Sequence, residues 1–133
     1  MSYRIFISFA MKDKDVADSF ADEIKHTGAE IIGAEGIAES ANIKNRLTEA
    51  MRKSDEIVVI ITKNSANSAW VNYEVGAATA LGKRITPILV RIEPSDLPPV
   101  LRSVEGVKLE NLNRYVKQLL QNVQSGSDTS GAQ

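Results

Sequence analysis

Whatever chemistry this chain performs must rest on carboxylates, hydroxyls and amines. Its 133 residues include no cysteine and a single histidine, His26. That excludes a thiolate nucleophile, a disulfide framework and Cys-ligated zinc or iron–sulfur sites. One imidazole cannot form a His-x-x-x-His metal pair, and a Ser-His-Asp triad would depend on His26 alone. His26 stands beside Gly28 at an expected helix end, where a favourable interaction with the helix dipole accounts for it. With 16 basic and 17 acidic residues the net charge is -1, without the basic excess of a dedicated DNA or RNA binder. The turn Ala10-Met11-Lys12-Asp13-Lys14-Asp15 contains no glycine, so neither a dinucleotide fingerprint nor a P-loop can form there. The segment Ile61-Thr62-Lys63 offers no carboxylate where a phosphoacceptor domain needs one.

The elements that must position such groups follow from periodicity. Tyr3-Arg4-Ile5-Phe6-Ile7-Ser8-Phe9 is rich in β-branched and aromatic residues and predicts a strand. Asp13 is placed to cap a helix whose apolar face is Val16, Ala17, Phe20, Ala21 and Ile24, with Gly28 as its stop. Lys12-Asp13-Lys14-Asp15 then reads as a solvated helix start. Ala29-Glu30-Ile31-Ile32 predicts a short second strand, and residues 33–40 a glycine-containing loop. Ile43, Leu47, Ala50 and Met51 mark a second helix. Ile57-Val58-Val59-Ile60-Ile61 is the continuous apolar run of a strand covered on both faces. A third helix is expected over residues 69–81, ending at Gly82. A fourth strand is expected over residues 85–90, with Pro87 forgoing one ladder bond. Val107-Lys108-Leu109 predicts a short fifth strand. Leu112, Val116, Leu119, Leu120 and Val123 mark the last helix. Strand and helix alternate throughout, which predicts a parallel sheet with helices on both faces and a ligand site outside the carboxyl ends of the strands. One domain is expected over residues 1–124, and residues 125–133 as a disordered tail or linker, with a partner domain beyond it. No apolar run is long enough to cross a membrane and the first residues lack signal-peptide anatomy, so a cytoplasmic protein is expected.

Two segments together resemble the Toll/interleukin-1 receptor (TIR) domain family. The first is Ile5-Phe6-Ile7-Ser8-Phe9 followed by Lys12-Asp13. The second is Asn64-Ser65-Ala66-Asn67-Ser68-Ala69-Trp70-Val71-Asn72-Tyr73-Glu74, followed by Gly82-Lys83 and a strand; it is similar to the family's Ser-x-Trp-x-x-x-Glu helix start. The resemblance spans about residues 3–124. It implies a flavodoxin-like α/β sandwich with a five-stranded parallel sheet.

For function the resemblance implies an NAD+ glycohydrolase that cleaves the nicotinamide–ribose bond, giving nicotinamide and ADP-ribose or a cyclic variant. The setting would be bacterial immune or cell-death signalling. NAD+ enters as substrate; no cofactor and no metal are implied. The glutamate of the motif maps onto Glu74 as the catalytic residue. Such sparse chemistry suffices, because nicotinamide leaves a cationic precursor as a neutral molecule and needs no general acid. One carboxylate can hold the ribose hydroxyls and stabilise an oxocarbenium-like transition state. Trp70 lies four residues before Glu74, hence on one helical face. Ser8, Phe9, Ala10, Lys63 and Trp70 are the candidate substrate contacts, with Phe9 and Trp70 as an apolar wall. The loop holding Gly33, Glu35, Gly36 and Ile37 corresponds to the family's BB loop, which bridges neighbouring subunits. The implied partners are therefore other TIR domains, with neither nucleic acid nor membrane. Two alternatives remain: a non-catalytic TIR–TIR interaction module, and a base-exchange enzyme with Glu74 as nucleophile.

Overall fold

A computed structural model describes residues 3–36, 43–65, 69–97 and 106–132. Five strands form one parallel sheet: β1 (Arg4–Phe9), β2 (Glu30–Gly36), β3 (Glu56–Ile61), β4 (Arg84–Leu89) and β5 (Val107–Lys108). Among the described residues four α-helices intervene or follow: α1 (Lys14–Lys25), α2 (Ile43–Lys53), α3 (Ala69–Ala80) and α4 (Leu112–Ala132). The strand order is β2-β1-β3-β4-β5, the doubly wound order expected. Direction of winding reverses between β1 and β3, so a crevice opens at their carboxyl ends. No helix among the described residues is long and apolar enough to cross a membrane.

The strand alternation sorts side chains between two cores. Phe6, Ile57, Val59 and Ile61 face one layer, against Met51 of α2 and Val75 and Ala78 of α3. Ile5, Ile7, Val58 and Ile60 face the other, against Phe20 and Ile24 of α1 and Tyr115 and Leu119 of α4. Every residue of β3 is buried, as the apolar run from Ile57 to Ile61 requires, and Glu56 is buried with it. Gly28 and Gly82 terminate α1 and α3 at φ +90° and +69°, the left-handed region that glycine enters without a Cβ clash.

The second strand is longer than its sequence suggested. Gly33, Glu35 and Gly36 are ladder residues of β2, paired with Phe6, Ser8 and Phe9, and not loop. A register shift passes over Ile32, since Ile5 pairs with Ile31 and Phe6 with Gly33. Backbone pairing to a rigid central strand needs no side chains, so it overrides the glycines' weak strand preference, a matter of roughly 1 kcal/mol each. Ile37 and the rest of that expected loop lie outside the described residues. At the other end, α4 continues to Ala132, so the backbone of residues 125–132 is helical where a disordered tail was expected. The edge strand β5 pairs only with Ile88 and Leu89, beyond Pro87.

Candidate functional site

Ser8 is the penultimate residue of β1 and points toward the α2–α3 layer, since it alternates with Ile7 and Phe9. Glu74 sits in the second turn of α3, which follows β3 across the crevice. The fold thus brings these two residues together. Glu74 is fully buried, with 0 % of its surface exposed, and Ser8 is buried beside it. Burial lifts the Glu74 carboxyl from an ordinary 4.5 to about 7, and the Ser8 hydroxyl works against that shift. The hydroxyl stands close enough to favour the charged form without completing a hydrogen bond: neither carboxylate oxygen has a formed partner. A buried, unsatisfied carboxylate is costly, and such groups concentrate where chemistry needs them.

The remaining expected site residues divide. Phe9 does not join Glu74. It is buried in the opposite core with Ile5, Ile7 and Phe20, because neighbouring residues of a strand face opposite sides. Ala10 and Lys63 lie in the turns that follow β1 and β3 at the same sheet edge as Glu74, with Lys63 exposed. Trp70 takes the second position of α3, four residues before Glu74.

Asp13 has a role that its sequence position concealed. It makes no side-chain cap on α1, and it is only 6 % exposed, not a solvated helix start. Its carboxylate instead reaches across the crevice, accepting hydrogen bonds from Thr62 Oγ1 at 2.7 Å and Asn64 Nδ2 at 2.9 Å. Thr62 Oγ1 in turn accepts from the Asn64 backbone N–H at 3.0 Å, and Ser65 Oγ accepts from the Thr62 N–H at 3.1 Å. The turn after β1 is thereby tied to the turn that leads into α3 and Glu74. Thr62 and Asn64, two short polar residues just after the apolar run Ile57–Ile61, were the available signal. Asp13→Ala orphans the buried Thr62 hydroxyl, while the exposed Asn64 amide turns to water, and should destabilise the fold by about 1–3 kcal/mol. Urea denaturation measures that loss, and an effect under 0.5 kcal/mol, the size of an ordinary surface substitution, would sink the tie.

The sequence model of one protein family, described as "TIR domain", matches residues 5–122. Solved structures with the same fold include the TIR domains of the activated Roq1 resistosome that recognises the pathogen effector XopQ. That likeness has 17 % identity and a TM-score of 0.64, covering 94 % of this chain and 99 % of that one. The TIR domain of the Toll-related receptor TRR-2 from Hydra magnipapillata aligns at 16 % identity and a TM-score of 0.65, over 92 % and 99 % of the two chains. BcmB, a CMP N-glycosidase of Clostridium botulinum, aligns at 18 % identity and a TM-score of 0.62, over 87 % and 97 %. At such identities the likenesses speak for the fold. No curated protein matches the chain.

Proposed function

The chain belongs to the TIR domain family, and on that premise we propose that it is an NAD+ glycohydrolase with Glu74 as its catalytic carboxylate. The observation that carries this reading is the buried Glu74 carboxylate without a formed hydrogen bond, set beside Ser8 at the carboxyl edge of the sheet. A carboxylate held there without a cation is free to stabilise a positive charge that develops during the reaction. The C1′–nicotinamide bond breaks and its electron pair leaves with nicotinamide, which is neutral once detached. Glu74 stabilises the ribosyl cation, and water then attacks C1′ and releases a proton, giving ADP-ribose. Attack by an internal nucleophile of the substrate would give a cyclic product instead. NAD+ is consumed as substrate, and cytoplasmic immune or cell-death signalling is the setting proposed.

Complete burial of Glu74 supports a dependence on self-assembly. No substrate reaches a carboxylate with 0 % exposure until neighbouring elements move, and contact with other TIR domains would move them. The same burial favours the second reading, a non-catalytic TIR–TIR module in which Glu74 never meets a ligand.

Concentrated protein incubated with NAD+, with nicotinamide release followed, separates the two. Turnover that disappears in Glu74→Ala supports the enzyme. No turnover even under crowding supports the scaffold, and equal turnover by the variant removes Glu74 from the mechanism. CMP belongs in the same assay, because the fold is shared with a CMP N-glycosidase.

The pH dependence follows from the required charge. Only the ionised carboxylate stabilises the cation, and burial sets its ionisation at about 7 in the free protein. kcat/KM should therefore rise about tenfold per pH unit below that value and level off above it. A flat profile between pH 5 and pH 8 would contradict the assignment.

A further inference from the structure

A cavity of about 650 Å³ lies apart from Glu74 and starts at the amino end of the sheet. That volume falls within the few hundred to a thousand cubic ångströms typical of small-molecule sites. Its walls are β4, the start of β5 and one face of α4. Helix α4 turns Tyr115 and Leu119 into the core. The adjacent stripe, Arg114, Gln118 and Asn122, together with Asn111 just before the helix, turns toward the cavity instead and is polar throughout. These positions recur at intervals of three and four, so they share one helical face.

The depth of the cavity is chemically specific. Glu56, 1 % exposed, accepts a hydrogen bond on Oε1 from Tyr3 at 2.6 Å. On Oε2 it accepts from Thr86 at 2.6 Å and from Tyr115 at 2.8 Å. This carboxylate forms no salt bridge among the described residues. Arg84 and Arg114 line the same cavity, and neither forms an ion pair among the described residues. Arg84 is close enough for its charge to oppose the upward shift of the Tyr3 and Tyr115 phenols, which burial and then Glu56 produce. Lys108, the third cation of the lining, is already paired with Glu93 at 2.8 Å.

From this arrangement we infer a binding site for a small sugar phosphate. Two uncommitted guanidiniums suit a phosphate group, which they grip through charge-assisted hydrogen bonds. Amides with both donor and acceptor atoms, beside a carboxylate with one acceptor position left, suit a run of sugar hydroxyls. Ile85, Leu89 and Val107 supply an apolar wall for the carbon face of the ring. The site is independent of the Glu74 chemistry, and its ligand need not be that reaction's substrate.

Ribose 5-phosphate titrated into the full chain, followed by amide NMR shifts and calorimetry, tests the inference. Saturable shifts at Gly106, Val107, Asn111 and Gln118 are expected. They should persist in Glu74→Gln, because that residue lies outside the cavity. In Arg84→Ala/Arg114→Ala, where both side chains are exposed and the core is untouched, affinity should fall at least about tenfold for each arginine. Ribose and inorganic phosphate, tested separately, should each bind far more weakly than the ester. Absence of shifts at millimolar ester overturns the site. So does unchanged affinity in the double variant, and so does clustering of the shifts around Ser8. Equal affinity for inorganic phosphate overturns the recognition of the sugar.

Discussion

Glu74→Gln is expected to make the protein more stable at pH 8, by up to about 3 kcal/mol, while turnover falls roughly a thousandfold or more. Both effects come from one carboxylate. In the unfolded chain Glu74 releases its proton at the ordinary 4.5, whereas in the fold burial holds the proton until about pH 7. Between those values the folded state binds more protons than the unfolded one. Stability therefore falls as pH rises through this window and is level on either side. At about 1.4 kcal/mol for each pH unit, the interval from 4.5 to about 7 corresponds to the stated penalty. Glutamine keeps the shape and carries no charge; its own amide is orphaned, which holds the gain below the full amount. Urea midpoints of wild type and variant, measured from pH 4 to pH 8, should converge at the acid end and separate at the alkaline end. Parallel curves would show that Glu74 holds no buried charge, and the proposed mechanism would lose its foundation.

The second large effect is expected at the opposite edge of the sheet. Glu56→Ala should cost about 4 kcal/mol, a large share of the 5–15 kcal/mol that stabilises a domain of this size. The carboxylate joins four parts of the chain, since its three donors come from the segment before β1, from β4 and from α4. Removing it leaves the buried Thr86 and Tyr115 hydroxyls without an acceptor, each costing roughly 1–3 kcal/mol. Tyr115→Phe deletes one donor and keeps the ring, which stacks on Phe20 with centroids 5.9 Å apart. It should cost only about 1 kcal/mol. Thermal unfolding is the measurement, with a drop of roughly 10–20 °C expected for Glu56→Ala. A drop as small as that of Tyr115→Phe would mean that the three hydroxyls find other partners.

These two carboxylates differ in how far the amino-acid order announced them. Glu74 is marked by the resemblance of the segment from Ser68 to Glu74 to the TIR family's helix start, a local pattern. Glu56 is a single acidic residue ahead of five apolar ones. Nothing near it in the chain tells of Tyr3 or Tyr115, which lie 53 and 59 residues away. Asp13 is a further case. Locally it is a good helix cap, yet in the fold its carboxylate finds two donors 49 and 51 residues on and gives up the cap.

The order of residues by itself determined the alternation of strands and helices, the burial of β3 and the helix stops at Gly28 and Gly82. It also determined which chemistries are impossible without cysteine and with one histidine. Those properties depend on near neighbours: side-chain period, backbone freedom and the presence or absence of an atom type. Tertiary structure alone decided that β2 runs through Gly36, because a partner strand supplied backbone hydrogen bonds that outweigh glycine's weak strand preference. It also decided that Glu74 is closed off and raised to about 7, since the dielectric around a carboxylate is set by whatever packs on it from distant parts of the chain.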